Sequence, residues 1–153
     1  MGTVSPDDEI LEFAIAREIE ANRFYMALAK RVESPEMRKV LEDFAKEELE
    51  HKALLELEVM KIGKVVSAVE KVTIPEHEYI VSEFDSALDM DYKDILMLAI
   101  EKEEASFRTY VNLIGNAKDE ESREALLGIA EEEVKHKIRF QIEYDLLLKK
   151  SGA

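Results

Sequence analysis

The chain repeats itself at a spacing of 85 residues, and this repeat constrains the fold more than any other feature. Residues 10–62 and 95–147 align without a gap and are identical at 17 of 53 positions. A Glu-x-x-His segment recurs within them, as Glu48 with His51 and as Glu133 with His136. We therefore expect one structural unit that is present twice, with its two copies related by approximate two-fold symmetry.

Each copy has the pattern of two α-helices, because its apolar residues recur at steps of three and four. Ser5-Pro6 and Ser34-Pro35 each place a capping serine before a proline that suits the first helical position. The predicted helices run from about Ser5 to Glu33, from Ser34 to Gly63, from Asp91 to Gly115-Asn116, and from Asp119 to Lys150.

A chain of 153 residues is long enough for one core. Charged residues make up 37% of it and there are only 5 Gly and 3 Pro, which favours long amphipathic helices. We predict a single all-α domain over 1–153, an antiparallel four-helix bundle in which a long crossover at 64–90 joins two helical hairpins. A crossover of this length allows the second and third helices to run parallel. His77 lies within it, in a charged context that predicts a surface residue.

Charge and composition exclude several kinds of function. The formal charge of -14 disfavours binding to nucleic acid and to anionic membrane surfaces. No stretch has the roughly 20 apolar residues of a membrane span, and the first residues do not resemble a signal peptide. We therefore expect a cytoplasmic protein. The absence of cysteine excludes disulfides, thiol nucleophiles and iron bound by thiolates, so redox chemistry would need electrons from another protein.

The repeated motif predicts a cluster of six side chains. Residues three apart lie on one face of a helix, so each Glu-x-x-His presents a carboxylate and an imidazole to one point. The spacing of 85 also pairs Glu18 with Glu103, and both lie on the apolar face of their helices. Two halves related by two-fold symmetry would bring together Glu18, Glu48, His51, Glu103, Glu133 and His136.

Four carboxylates and two imidazoles suit two divalent first-row metal ions. Four buried glutamates would be costly alone, but two such ions carry +4 against their charge of -4 when both histidines are neutral. One Glu-x-x-His by itself would more simply be a solvated helix surface; the symmetric set favours a metal centre. Tyr25 and Tyr110 share the faces of Glu18 and Glu103, so they are candidates to hydrogen-bond the ligand carboxylates, with core packing as the alternative.

At these residues the sequence resembles the ferritin-like diiron-carboxylate superfamily, most closely the rubrerythrins, from about Asp8 to Leu148. The resemblance rests on Glu18-x6-Tyr25, Glu103-x6-Tyr110 and the two Glu-x-x-His motifs. It implies two iron ions, with manganese or zinc as alternatives. Glu48 and Glu133 would bridge the metals, Glu18 and Glu103 would be terminal ligands, and His51 and His136 would each bind one metal.

The resemblance also implies a reaction and partners. We expect reduction of hydrogen peroxide or dioxygen in oxidative-stress defence, a separate electron donor such as rubredoxin, and a homodimer. The chain departs from many rubrerythrins in two respects: it has no Cys-x-x-Cys motif, and Ser106 stands where they carry an additional glutamate. Alternatives are a ferritin-like ferroxidase that stores iron, a dimanganese catalase, and a helical interaction module with a vestigial site.

Overall fold

The computed structural model describes residues 6–61 and 91–150, which form four helices. These are α1 (Pro6–Ala29), α2 (Pro35–Lys61), α3 (Tyr92–Asn116) and α4 (Glu120–Lys150). The prediction of an all-α fold is confirmed. The sequence repeat is also a structural one, since α2 and α4 begin 120 − 35 = 85 residues apart. The predicted crossover at 64–90, Ser5 and Gly63 lie outside the described residues.

Three of the predicted helix starts have the capping contact that their residue type favours. Ser34 Oγ accepts a hydrogen bond from the backbone N–H of Met37 at 3.2 Å. Asp91 Oδ1 accepts one from the backbone N–H of Asp94 at 2.9 Å. The third cap is Asp119, whose Oδ2 lies 3.4 Å from the backbone nitrogen of Ser122. Each cap satisfies a backbone donor that the helix itself leaves without a partner.

The first helix ends at Ala29, so the prediction that it continues to Glu33 was wrong. Arg38, on the next helix, donates to the carbonyls of Ala29 and Val32 at 3.3 and 3.1 Å. These bonds satisfy carbonyls at the helix end and hold the turn that reverses the chain. Arg123, its counterpart in the repeat, makes the same kind of bonds to residues 117 and 118.

The two hairpins, α1 with α2 and α3 with α4, pack against each other through α1 with α3 and α2 with α4. Asp7, at the start of α1, accepts hydrogen bonds from the backbone N–H groups of Lys118 and Asp119 at 2.8 and 2.7 Å. Because these groups follow the end of α3, α1 and α3 are antiparallel. It follows that α2 and α3 run parallel, which is the arrangement that a long crossover permits.

The core consists of two apolar clusters that the repeat relates to each other. One contains Tyr25, Leu41 and Leu96, and the other contains their counterparts Tyr110, Leu126 and Leu11. Buried glutamates and histidines occupy the faces of the same helices between these clusters. The fold therefore places a polar layer in the middle of the bundle, where four helices can each contribute side chains.

Candidate metal centre

The structure brings all six predicted residues together in the middle of the bundle. One group has ligand atoms within 4.8 Å of one another and contains Glu18, Glu48, His51 and Glu133. A second, defined by the same distance, contains Glu48, Glu103, Glu133 and His136. Glu48 and Glu133 belong to both groups, so the geometry is that of two neighbouring positions which share two carboxylates.

The helices position these side chains in a regular way, with α1 and α3 each contributing one glutamate and α2 and α4 each contributing a glutamate and a histidine. His51 Nδ1 lies 3.0 Å from Glu18 Oε1 and 3.1 Å from Glu48 Oε1. His136 Nδ1 lies 3.3 Å from Glu103 Oε2. The Nδ1 atom of each histidine therefore faces the carboxylates of its own group.

The unsatisfied atoms in this cluster test whether it fits metal ions. Glu48 Oε2, Glu103 Oε1 and Glu133 Oε1 are buried and accept no hydrogen bond from the described residues. Buried carboxylate oxygens without a hydrogen bond carry a large desolvation cost. Divalent cations offset that cost because they bind oxygen and nitrogen ligands directly. The residues present thus fit a two-metal centre.

Burial and mutual repulsion perturb the titration of this cluster. Burial raises the pKa of Glu48 well above its usual range, and the charges of Glu18 and Glu133 raise it further. Burial also raises the pKa of Glu103 and of Glu18. Burial alone lowers the pKa of His51, but its contacts with Glu18 and Glu48 raise it to about 10. Without metal, His51 therefore retains a proton at neutral pH that a metal ion would displace.

The two tyrosines differ, although the repeat predicts the same role for both. The hydroxyl of Tyr110 donates a hydrogen bond to Glu18 Oε2. The hydroxyl of Tyr25 is buried and makes no hydrogen bond to the described residues. Its ring packs instead among aromatic side chains, edge-on to His136 at 6.2 Å and stacked on Phe140 at 5.8 Å. For Tyr25, therefore, the described contacts match the alternative of core packing.

Ser106 contacts the cluster directly. It is buried, and its hydroxyl donates to Glu133 Oε2 at 2.9 Å. Its counterpart in the repeat is Ala21, which offers no such donor, so Glu48 lacks the matching bond. The serine therefore restrains one of the two shared carboxylates and makes the two halves of the site unequal.

Sequence reasoning missed three side chains that surround the site. Glu47 Oε1 lies 2.9 Å from His136 Nε2, and the Phe44 ring stacks on the His136 ring with their centroids 3.9 Å apart. Lys102 is 7% exposed, and its burial lowers its pKa to about 8. The sequence could have indicated Lys102, because the repeat pairs it with another basic residue, Arg17, and each directly precedes a glutamate of the cluster. Nothing local distinguishes Glu47 from the other glutamates of α2.

A family model described as Rubrerythrin matches residues 9–144. All six residues of the cluster lie within this match, as do Tyr25, Ser106 and Tyr110. Among curated proteins, no sequence matches this chain significantly. The described helices include none that is long and apolar enough to cross a membrane.

Two solved structures are similar to this chain over most of its length. A hypothetical protein from Pyrococcus furiosus is 27% identical, with a TM-score of 0.69, and the match covers 93% of this chain and 90% of that one. A manganese catalase from Anabaena is 18% identical, with a TM-score of 0.68, and the match covers 95% and 75% of the two chains. The second likeness is evidence for the fold alone, which is the ferritin-like helical fold.

Proposed function

Because the chain belongs to the rubrerythrin family, we propose that it is a non-haem diiron protein that reduces hydrogen peroxide or dioxygen. The proposed role is defence against oxidative stress in the cytoplasm. The observation that carries the proposal is the buried cluster of four glutamates and two histidines, which forms two groups with two members in common. Two bound metal ions would satisfy its unpaired carboxylate oxygens and so offset the cost of burying these charges.

The proposed ligand roles follow from the two groups. Glu48 and Glu133 belong to both, which supports the proposal that they would be shared by two ions. Glu18 and His51 complete one position, which we call the His51 position. Glu103 and His136 complete the other, called the His136 position. Two ions bound by these residues would supply electrons to the oxidant and stabilise the charge that develops on its oxygen atoms.

The surrounding side chains orient these ligands. The Tyr110 hydroxyl donates to Glu18 and leaves the other oxygen of that carboxylate facing His51. The Ser106 hydroxyl donates to Glu133 Oε2, so Oε1 is the atom that remains directed into the cluster. A carboxylate held at one oxygen has a defined orientation at the other, which keeps the site ready for two ions.

The reaction needs two electrons and two protons for each hydrogen peroxide converted to two molecules of water. The chain contains no cysteine for an iron–sulfur or thiolate-bound iron centre. We propose that a separate redox protein of the rubredoxin type donates the electrons, and that the protein acts as a homodimer. Size-exclusion mass distinguishes this assembly from the many-subunit shell of a ferritin-like iron store.

Metal analysis combined with peroxide consumption tests the proposal. The protein should bind two iron ions per chain, and it should consume peroxide only in proportion to the reductant supplied. Glu133→Gln should lose both properties, whereas Glu50→Gln, at an exposed position of α2, should retain them. Fewer than about one metal ion per chain after anaerobic iron loading, with all six residues intact, would overturn the proposal.

A dimanganese catalase is the second candidate, and one observation favours it. Ser106 occupies the place of the additional glutamate of many rubrerythrins. A catalase converts two molecules of hydrogen peroxide into two of water and one of dioxygen without an outside reductant. Release of dioxygen from peroxide by the manganese-loaded protein, and not by the iron-loaded one, would select this candidate.

A further inference from the structure

We propose that Glu47 is a positioning residue for His136, and that with Phe44 it makes the His136 position the tighter of the two metal positions. Nothing in the ligand set itself requires such a difference, because the six residues are symmetric under the repeat. The inference rests on the proposed two-metal site and concerns the side chains outside it. It predicts an order of filling that the symmetric ligand set does not.

The contact between Glu47 and His136 has the geometry of a hydrogen bond. Glu47 Oε1 lies 2.9 Å from Nε2, on the side of the ring opposite to Nδ1. A neutral imidazole carries one proton, and a carboxylate can only accept. When Glu47 accepts from Nε2–H, Nδ1 is left with a free lone pair that faces Glu103 and the two shared glutamates. Glu47 therefore selects the tautomer that can bind a metal ion from within the bundle.

Phe44 restrains the same ring in another direction. It lies one helical turn before Glu47 on α2, and its ring stacks on the imidazole at an interplanar angle of 18°. The edge of Tyr25 contacts the His136 ring as well. Stacking fixes the ring plane while the carboxylate fixes its rotation, so one turn of α2 orients a histidine of α4. A ligand that is already oriented loses less freedom on binding.

Among the described residues, the surroundings of His51 lack both features. The counterpart of Glu47 is Glu132, whose carboxylate binds Lys135 of its own helix at 2.9 Å. The counterpart of Phe44 is Ile129, which provides no aromatic ring. His51 is also more exposed than His136, at 8% against 2%. The two histidines therefore occupy different surroundings although their ligand neighbours correspond.

Stepwise titration of metal-free protein with Co²⁺ tests the inference. Co²⁺ is a suitable probe because its visible spectrum and calorimetry report binding without any turnover. The wild-type protein should bind two ions with different dissociation constants. Glu47→Ala should weaken the tighter site about 10-fold, near the lower end of the effect of losing a carboxylate partner of a histidine ligand. Glu132→Ala is the matched control and should change neither constant by more than about twofold.

A conservative variant separates positioning from general damage. Glutamine can still accept from Nε2–H, so Glu47→Gln should recover most of the affinity lost in Glu47→Ala. In Zn²⁺-loaded protein, the His136 ring should show a slowly exchanging Nε2 proton by NMR in the wild type and in Glu47→Gln. That signal should be lost in Glu47→Ala, whereas the corresponding nitrogen of His51 should be the same in all three proteins.

The outcomes separate this inference from the proposed function. Wild-type protein that takes up no Co²⁺ would overturn both. Two sites of equal affinity, or two unequal sites that respond equally to Glu47→Ala and Glu132→Ala, would overturn this inference and leave the two-metal site standing. An unchanged dissociation constant of the tighter site in Glu47→Ala would likewise overturn this inference and leave the two-metal site standing.

Discussion

Replacement of Glu48 by glutamine is expected to stabilise the metal-free protein and to prevent its stabilisation by metal ions. The Glu48 side chain is fully buried; its Oε1 lies 3.1 Å from His51 Nδ1, and its Oε2 has no hydrogen-bond partner among the described residues. Burial and the neighbouring charges of Glu18 and Glu133 raise its pKa well above the usual value of 4.5. The carboxyl group is therefore a cost to the metal-free fold, and glutamine has nearly the same shape without the charge.

The usual pKa sets an upper bound on the effect. A buried carboxyl group can escape the cost of its charge by taking up a proton, and at pH 7, against a usual pKa of 4.5, this uptake costs at most about 3 kcal/mol, from about 1.4 kcal/mol per pH unit. Because the glutamine amide also needs hydrogen-bond partners, we expect a net gain of about 2 kcal/mol in the free energy of unfolding. For a protein of this size that raises the Tm by roughly 4–8 °C.

Metal ions should reverse the order of thermal stability of the wild type and Glu48→Gln. A ligand present at 100 times its dissociation constant stabilises the native state by about 2.7 kcal/mol for each site. Glu48→Gln lacks one of the two shared carboxylates, so it should gain little at either position. The wild-type protein should then have the higher Tm, even though it has the lower one without metal.

Thermal unfolding followed by far-UV circular dichroism measures both effects, first after chelation and then with Co²⁺ added without oxygen. Glu50→Gln provides a control on the same helix for the loss of one negative charge, because Glu50 is exposed. It should match the wild type with and without metal. The reasoning would be refuted if metal-free Glu48→Gln were no more stable than the wild type, or if its Tm rose with Co²⁺ as the wild-type Tm does.

Three further results are expected. Metal binding at pH 7 should release protons, and metal affinity should rise with pH towards 10. The contacts of His51 with Glu18 and Glu48 raise its pKa to about 10, so the protonated ring stabilises the metal-free fold fully below pH 6.5 and this stabilisation is lost as the pH rises through 10. A metal ion binds only the neutral ring. Calorimetry in buffers of different ionisation enthalpy counts these protons, and a pH-independent affinity would contradict the assignment. Tyr110→Phe should lower the stability of the metal-free protein by about 1.5–3 kcal/mol, the range for a hydrogen bond to a charged group. Tyr25→Phe, which loses no described hydrogen bond, should not lower it, and denaturant unfolding compares the two variants. Asp7→Ala should cost about 2–3 kcal/mol, because it removes two charge-assisted bonds to backbone N–H groups, and exposed Glu9→Ala is its control in the same assay.

The four helices and the cluster could be predicted because both depend on spacing along one helix. Glu48 and His51 lie on one face whatever surrounds them, and the offset of 85 residues selected Glu103 from its acidic neighbours. Helix starts were predictable for a similar reason, since a cap such as Ser34 acts within three residues. The end of α1 was not, because it depends on Arg38, nine residues beyond Ala29.

Contacts between side chains of different helices could not be predicted from the sequence pattern. Glu47 and Glu132 are glutamates in the same motif, but Glu47 contacts a histidine and Glu132 contacts a lysine. Which partner each one contacts depends on the rotation and axial shift of α2 against α4. Tyr25 and Tyr110 likewise share a pattern but not a hydrogen bond. The repeat therefore predicted the symmetry of the ligand set and, for the same reason, could not predict how its surroundings differ.

The presence of both hairpins in one chain has a consequence for how such a site can change over evolutionary time. A dimer of two identical hairpins would have to accept every substitution at both metal positions at once. Here Ser106 donates a hydrogen bond to Glu133, whereas its counterpart in the other hairpin is Ala21. Covalent linkage of the copies thus allows the surroundings of each shared glutamate to change independently of the other.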